Sequence, residues 1–308
     1  MAIPTQARPI QALASPAPRP ASTTAGELDR DELLRAFRTM YTSRCVDDRE
    51  ILLKRQSKIF FQVSGAGHEA IQTAAGMVLR PGQDWIFPYY RDRALALALG
   101  VTVEEMLLQA VGAERDSASG GRQMPSHWSS AQLHIFTGSS PTGTQYVQAA
   151  GAAQAKRYLA PDSDEITLVT GGEGSTSEGE FWECVTAACL EKLPIVILIE
   201  DNGFAISVPV EKQTPGGNIA RLLEGFPGLL RIEVDGTDFV ESYRALSHAA
   251  DYCRAGHGPA LVRATCVRPY SHSLSDDERL YKTAAERNAE AHRDPLSLFP
   301  EFLIREGI

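Results

Sequence analysis

Between Glu27 and Lys58 the apolar residues Leu28, Leu33, Leu34, Phe37, Met40, Tyr41, Ile51 and Leu52 recur at roughly helical spacing, which predicts one long helix or two short ones. The same periodicity predicts helices over 68–79, 90–99, 102–111 and 144–158. The pattern then changes. Glu165-Ile-Thr-Leu-Val-Thr170 is a short apolar, β-branched run that stops in Gly171-Gly-Glu-Gly174, and a helical stretch over 178–192 follows it. A second apolar run, Pro194-Ile-Val-Ile-Leu-Ile-Glu200, ends in Asp201-Asn-Gly203. Strand, glycine turn, helix and strand in this order make a βαβ unit, whose two strand ends fall on one edge of a parallel sheet. Further strands are predicted over 230–234 and 260–266, with a helix over 239–253 between them. The predicted class is α/β, with helices on both faces of a mainly parallel sheet.

Composition narrows the function classes. The chain has 308 residues, 43% hydrophobic and 22% charged, the balance of a globular protein rather than a disordered, fibrous or membrane one. A net charge of -9 disfavours nucleic acid or an anionic membrane as the main partner. The five cysteines are scattered without a C-x-x-C pair, which suggests neither a disulfide framework nor a zinc site. No stretch approaches the ~18 uninterrupted apolar residues of a membrane span. Residues 1–25 are rich in Ala, Pro, Ser and Thr and contain no acidic residue, and we read them as a disordered tail preceding a domain over 26–308. A cytoplasmic location is expected, or a mitochondrial matrix one if that tail is a transit peptide.

Ligands in open α/β sheets bind outside the carboxyl ends of the strands, which directs attention to 171–179 and 200–204. Glu173 lies at the first strand end and Asn202 at the second, 29 residues later, a separation that one crossover helix requires. A carboxylate and an amide oxygen converging on one point suit a hard cation such as magnesium, which completes its octahedron with phosphate oxygens and water. Gly172 and Gly174 allow the backbone to approach a diphosphate, and the helix that follows offers free N–H groups. A glycine turn alone also follows strands in many α/β folds that bind nothing there.

The whole string says more. Gly172-Glu-Gly174, Ser177-Glu-Gly179, Leu193-Pro194 and Glu200-Asp-Asn-Gly-Phe-Ala-Ile-Ser207 together resemble the thiamine diphosphate motif of the alpha subunits of 2-oxo acid dehydrogenases. Gly67-His-Glu-Ala70, Phe87-Pro-Tyr-Tyr-Arg91, Gly121-Arg-Gln-Met-Pro-Ser-His127 and His272-Ser-Leu-Ser-Asp-Asp277 resemble further blocks of that family in the same order, so the likeness runs from about Leu28 to the end of the chain. The G-E-G turn, the Gly121–Pro125 string and the H-S-x-S-D-D loop are closer to the branched-chain members, of the 2-oxoisovalerate type, than to the pyruvate members.

The resemblance implies a thiamine diphosphate-binding fold, with Glu173, Asn202 and the backbone carbonyl of Phe204 as magnesium ligands. Asp201 stands where the family usually has a first asparagine, and Phe204 where it more often has tyrosine. It implies that Tyr90 and Arg91, with Tyr89 beside them, face the terminal phosphate. Ser140 and Thr142 fall near the thiazolium and aminopyrimidine rings, and many relatives carry a bulky aliphatic residue in place of Thr142. Ser175 and Ile206 complete the implied cofactor contacts, and Gln123 and His127 are candidates for the substrate side. His272 is the implied catalytic residue, either binding diphosphate as a cation or exchanging protons with a reacting oxygen. Ser273 occupies the position phosphorylated in mitochondrial relatives, and without a cognate kinase it reads as a plain loop serine, the reading we favour. Lys282 replaces an arginine that usually follows the tyrosine. Phe181 and Trp182 are expected in the core.

What the family implies as a whole is oxidative decarboxylation of a 2-oxo acid with acyl transfer to lipoyl, dependent on thiamine diphosphate and magnesium. The implied partners are a beta subunit, in an α2β2 assembly, and a lipoyl-bearing acyltransferase. The beta subunit would bring the glutamate that activates the cofactor, so the chain is expected to be inactive alone. Typical alpha subunits continue into further helices beyond the segment ending at Ile308. The alternatives are a pyruvate or acetoin dehydrogenase alpha subunit, or a non-catalytic assembly subunit of the same fold. A nucleotide-binding domain is disfavoured, because neither G-x-x-x-x-G-K-[ST] nor G-x-G-x-x-G stands in the right context.

Overall fold

The computed structural model describes residues 11–12 and 28–308. Its centre is a six-stranded sheet. In chain order the strands are β1 (Gln11–Ala12), β2 (Trp85–Phe87), β3 (Thr167–Gly172), β4 (Ile195–Asp201), β7 (Leu230–Asp235) and β8 (Ala260–Thr265), arranged β1-β7-β8-β4-β3-β2. A separate two-stranded hairpin pairs β5 (Phe204–Ala205) with β6 (Val208–Pro209). All pairings in the large sheet are parallel except the edge pair β1–β7.

The predicted βαβ unit is β3, α6 (Gly179–Glu191) and β4, with Thr167 beside Ile195 and Gly172 beside Glu200. Strand β4 is apolar on both faces because it is covered on both. Ile195, Ile197 and Ile199 join one core with Tyr146, Phe181 and Val185, while Val196 and Leu198 join the other with Ile71, Leu246 and Phe239. That period of two is the strand geometry that turns a continuous apolar run into two cores. The first core lies under α5 (Thr144–Leu159) and α6. The second lies under α1 (Arg30–Arg55), α2 (Glu69–Val78), α3 (Arg93–Leu99), α9 (Phe239–Arg254) and α11 (Pro295–Arg305). Phe181 is fully buried, and Trp182 packs edge-on against it at 5.5 Å, as expected of core residues.

Several boundaries differ from those predicted. The 27–58 pattern is one helix, started by an Asp29–Glu32 capping box. The helix expected over 90–99 begins at Arg93, because Tyr89, Tyr90 and Arg91 form a turn at the end of β2, a strand the sequence pattern did not reveal. Gly171 and Gly172 belong to β3 itself and not to a turn after it. Of the expected tail, Gln11–Ala12 is an edge strand against β7 and the rest lies outside the described residues. Helices α4 (Val103–Ala110), α7 (Val210–Gln213), α8 (Ile219–Leu222) and α10 (Ala284–Ala291) complete the described elements along with short 3-10 turns. Among the described residues no helix is long and apolar enough to cross a membrane.

Gly171 shows why a strand can demand glycine. A Cβ there would sit 2.0 Å from the Tyr146 hydroxyl and 2.6 Å from Ser175 Oγ, two groups hydrogen-bonded to each other at 2.7 Å. Ser175 in turn donates to the Gly172 carbonyl. Gly171→Ala is therefore expected to destabilise the chain by about 1–3 kcal/mol through overpacking, read from urea unfolding, and a change under ~0.5 kcal/mol would contradict this packing.

Candidate functional site

The parallel strands β2, β3, β4 and β8 all point their carboxyl ends toward one edge, and the segments leaving them converge on a cavity of about 280 Å³. Tyr89, Tyr90 and Arg91 come from the end of β2, and Gly172, Glu173, Gly174 and Ser175 from the end of β3. Asn202, Phe204 and Ile206 follow β4, His272 comes from the segment after β8, and Ser140 and Thr142 lie in the loop before α5. Every residue expected to contact the cofactor thus lines one cavity, drawn from five places in the chain.

Glu173 and Asn202 meet as the spacing predicts. The Asn202 backbone N–H donates to Glu173 Oε2 at 3.2 Å, while Glu173 Oε1 and Asn202 Oδ1 are buried without a hydrogen-bond partner. Two such oxygens are costly unless something binds them. Burial, and then the charge of Asp201, push the Glu173 carboxyl up to about 7. Asp201, the departure from the usual asparagine, turns the other way, to Arg263 at 2.6 Å and to the Gly203 N–H, so it leaves Asn202 in place. Among the described residues no group of three or more His, Cys, Asp or Glu could hold a metal. This donor pair therefore suits a hard cation that takes its remaining ligands from a phosphate and water.

Arg91 is buried, and it makes no ion pair among the described residues. It donates to the Ser64 carbonyl and lies within 3.4 Å of His272 Nδ1, while its Nε has no partner. Tyr90 lies beneath it, ring centroid 5.4 Å from the guanidinium carbon. Arg268, just beyond β8, is a second buried guanidinium that makes no ion pair among the described residues. It donates to the Ile206 carbonyl and the Tyr281 hydroxyl, and its Nε and Nη1 are unpartnered. Unpaired buried cations are retained at a cost, which an anion bound beside them would offset. Ile206 itself has φ 56°, a conformation strained for a β-branched residue, and it lines the cavity with its carbonyl held by Arg268.

His272 is not a cation in this setting. Burial first, then Arg91 and Arg268, lower it to about 4. Arg91 has only donors, so Nδ1 accepts and the ring proton resides on Nε2. The loop is set by Asp276, which accepts from the His272 N–H and the Tyr281 hydroxyl. Imidazole NMR of the ligand-free chain is expected to show His272 neutral from pH 8 down to pH 5 and titrating near 4. Titration near the unperturbed ~6.5 would contradict the environment described.

Other expectations resolve individually. Lys282 substitutes for the usual arginine by burying its ammonium against both Glu290 carboxylate oxygens at 2.7 Å and the Arg268 carbonyl, so the loop stays tied. Phe204 packs its ring below Lys282 and Arg268, at 5.1 and 5.8 Å. His127 lines the cavity and pairs with Ser140 Oγ at 2.8 Å, whereas Gln123 stays outside the lining and reaches the Gly138 carbonyl. Ser273 is half-buried and turns to its own loop, its hydroxyl 2.9 Å from that of Ser275. Missed from the sequence are the lining residues Ser126 and Gln145, the guanidinium of Arg268, and a buried cluster under the cavity made of His68, Gln72, Asp92 and Glu200. Signals existed for Glu200, as a charged residue closing an otherwise apolar strand, and for His68, inside the Gly67–Ala70 block, but not for their pairing.

Residues 37–308 match the family model described as dehydrogenase E1 component. The chain belongs to that family. It is 37% identical over 281 residues to the 2-oxoisovalerate dehydrogenase subunit alpha of Bacillus subtilis, covering 91% of this chain and 84% of that one. It is 32% identical over 282 residues to the 3-methyl-2-oxobutanoate dehydrogenase subunit alpha of Mycobacterium tuberculosis, covering 92% and 73%. A pyruvate dehydrogenase E1 component subunit alpha from Staphylococcus aureus is 33% identical over 285 residues, covering 92% and 73%. The E1 family assignment, the α/β fold and the kinship to 2-oxo acid oxidoreductases expected from the sequence are thereby established.

Proposed function

We propose that this E1 chain is the alpha subunit of a branched-chain 2-oxo acid dehydrogenase and provides the magnesium–diphosphate half of a thiamine diphosphate site. One observation carries the reading. A single cavity is lined by two unpartnered buried oxygens, on Glu173 and Asn202, and by the buried Arg91, whose guanidinium makes no ion pair among the described residues. A cation bridged to a diphosphate satisfies both demands at once.

Glu173 and Asn202 would hold magnesium, with the Phe204 carbonyl as a third protein ligand. Arg91 would donate charge-assisted hydrogen bonds to the terminal phosphate, with Tyr89 and Tyr90 closing that end. The glycines at 172 and 174, with Ser175, let the backbone come close to the diphosphate. Ser140, fixed by His127, and Thr142 with Ile206 flank the region assigned to the rings. When bound, the cofactor supplies a carbanion that adds to the keto carbon and a ring that takes up electrons as carbon dioxide leaves. His272, with its proton on Nε2, would donate a hydrogen bond from that nitrogen to a reacting oxygen during acyl transfer.

The proposed partners are a beta subunit, in an α2β2 unit that brings the activating glutamate, and a lipoyl-bearing acyltransferase. The branched-chain preference is supported by the G-E-G and Gly121–Pro125 strings and by the 37% identity to the 2-oxoisovalerate relative. The test is oxidative decarboxylation by the chain co-assembled with its beta subunit. 3-Methyl-2-oxobutanoate is expected to give a kcat/KM above that of pyruvate, with no turnover by the alpha chain alone. A preference for pyruvate would move the chain to the second reading, a pyruvate dehydrogenase alpha subunit.

A further inference from the structure

The polar cluster beneath the cavity makes a directed chain of hydrogen bonds. Gln72 accepts from the Ala94 N–H at 3.1 Å through Oε1 and donates to the Arg91 carbonyl at 3.1 Å through Nε2, which fixes the sense of its amide. Its contact with Glu200 Oε2 at 2.8 Å is therefore a donated N–H. The Tyr89 hydroxyl reaches the same oxygen at 3.2 Å. Glu200 Oε2 therefore already accepts from Gln72 and meets the Tyr89 hydroxyl, which leaves Oε1, without a hydrogen-bond partner, as the oxygen that would carry a proton and Oε2 as the accepting one.

His68, wholly buried, places Nδ1 2.6 Å from Glu200 Oε2. Since that oxygen only accepts, Nδ1 carries the ring proton and Nε2 is a bare acceptor. Nε2 lies 3.4 Å from Asn202 Nδ2. An asparagine amide can sit in either of two senses, and the opposite sense here would set Oδ1 against the Nε2 lone pair. Asn202 Oδ1 is left buried and without a partner, available to a cation.

We propose that His68 is a positioning residue for Asn202: its tautomer, set by Glu200, holds the Asn202 amide with the carbonyl oxygen open to a divalent cation. The proposal rests on the reading of Glu173 and Asn202 as metal ligands. It makes Glu200 the outermost member of a relay of the kind that tunes metal sites, where loss of a supporting partner costs about 10–100-fold in affinity.

The test uses the full chain with Mn2+ and inorganic diphosphate, following free Mn2+ by electron paramagnetic resonance. His68→Leu is expected to weaken Mn2+ binding at least ~10-fold, and His68→Gln, whose side-chain oxygen can accept from Asn202, to stay within ~3-fold of wild type. Equal affinity in wild type and H68L, or equal loss in H68L and H68Q, overturns the role of His68. Imidazole nitrogen NMR of the wild-type chain gives a second reading that no folding defect can disturb. It is expected to show Nδ1 protonated and Nε2 bare for His68, and a protonated Nε2 overturns the proposal. Failure of the wild-type chain itself to bind Mn2+ overturns the metal reading and this one with it, an outcome distinct from binding that ignores residue 68.

Discussion

Glu173→Gln is expected to lower magnesium-dependent affinity for thiamine diphosphate at least ~100-fold, about 2.7 kcal/mol, while leaving the ligand-free chain more stable than wild type at pH 8. The first effect follows from losing the one charged ligand that the chain itself offers the proposed cation. The second follows from the environment. Glu173 is 2% exposed, has an unpartnered oxygen, and is pushed up to about 7 by burial and then by Asp201. A carboxyl raised above its unfolded value contributes stability that is present at low pH and lost as pH rises through the folded value. The gain from glutamine should therefore shrink between pH 8 and pH 5. Calorimetric titration gives the affinity and melting curves at the two pH values give the stability. Retained binding, or a variant less stable at pH 8, would contradict the role assigned to this carboxylate.

Arg93→Leu is expected to destabilise the chain by about 3–5 kcal/mol, because it strands two buried carboxylates. Arg93 is 1% exposed and binds Asp47 at 3.0 Å and Glu50 at 2.5 Å from the start of α3. Asp47 also accepts from Ser64 Oγ at 2.7 Å and the Gly65 N–H at 2.9 Å, and the Ser64 carbonyl is the one that receives Arg91. The ion pair therefore supports the loop behind the phosphate end of the cavity as well as the core. Urea unfolding checks the figure, and a loss under ~1 kcal/mol would show that Asp47 and Glu50 find other partners.

The elements that carry the site were legible because their signals are local. Strand β4 opens with five consecutive apolar residues, Ile195–Ile199, and closes in Glu-Asp before Asn-Gly, and the spacing from Glu173 to Asn202 is set by one helix. What escaped depends on contacts distant in sequence. β2 is three residues long and exists only because β3 lies beside it. Helices α10 and α11 are short amphipathic pieces that were not separated from the loop before them. The His68–Glu200 pair spans 132 residues, and nothing local to either residue pairs it with the other. The neutrality of His272 was likewise invisible, since it follows from burial and from Arg91, arriving from the end of β2, joining Arg268 of the segment after β8 beside it. The capacity of Lys282 to replace arginine needed Glu290, supplied by α10.

The most direct measurement is calorimetric titration of thiamine diphosphate into the full chain assembled with its beta subunit, with and without magnesium. The account predicts saturable binding that requires magnesium and disappears in Glu173→Ala. Binding of equal strength without magnesium, or unchanged in Glu173→Ala, would contradict it.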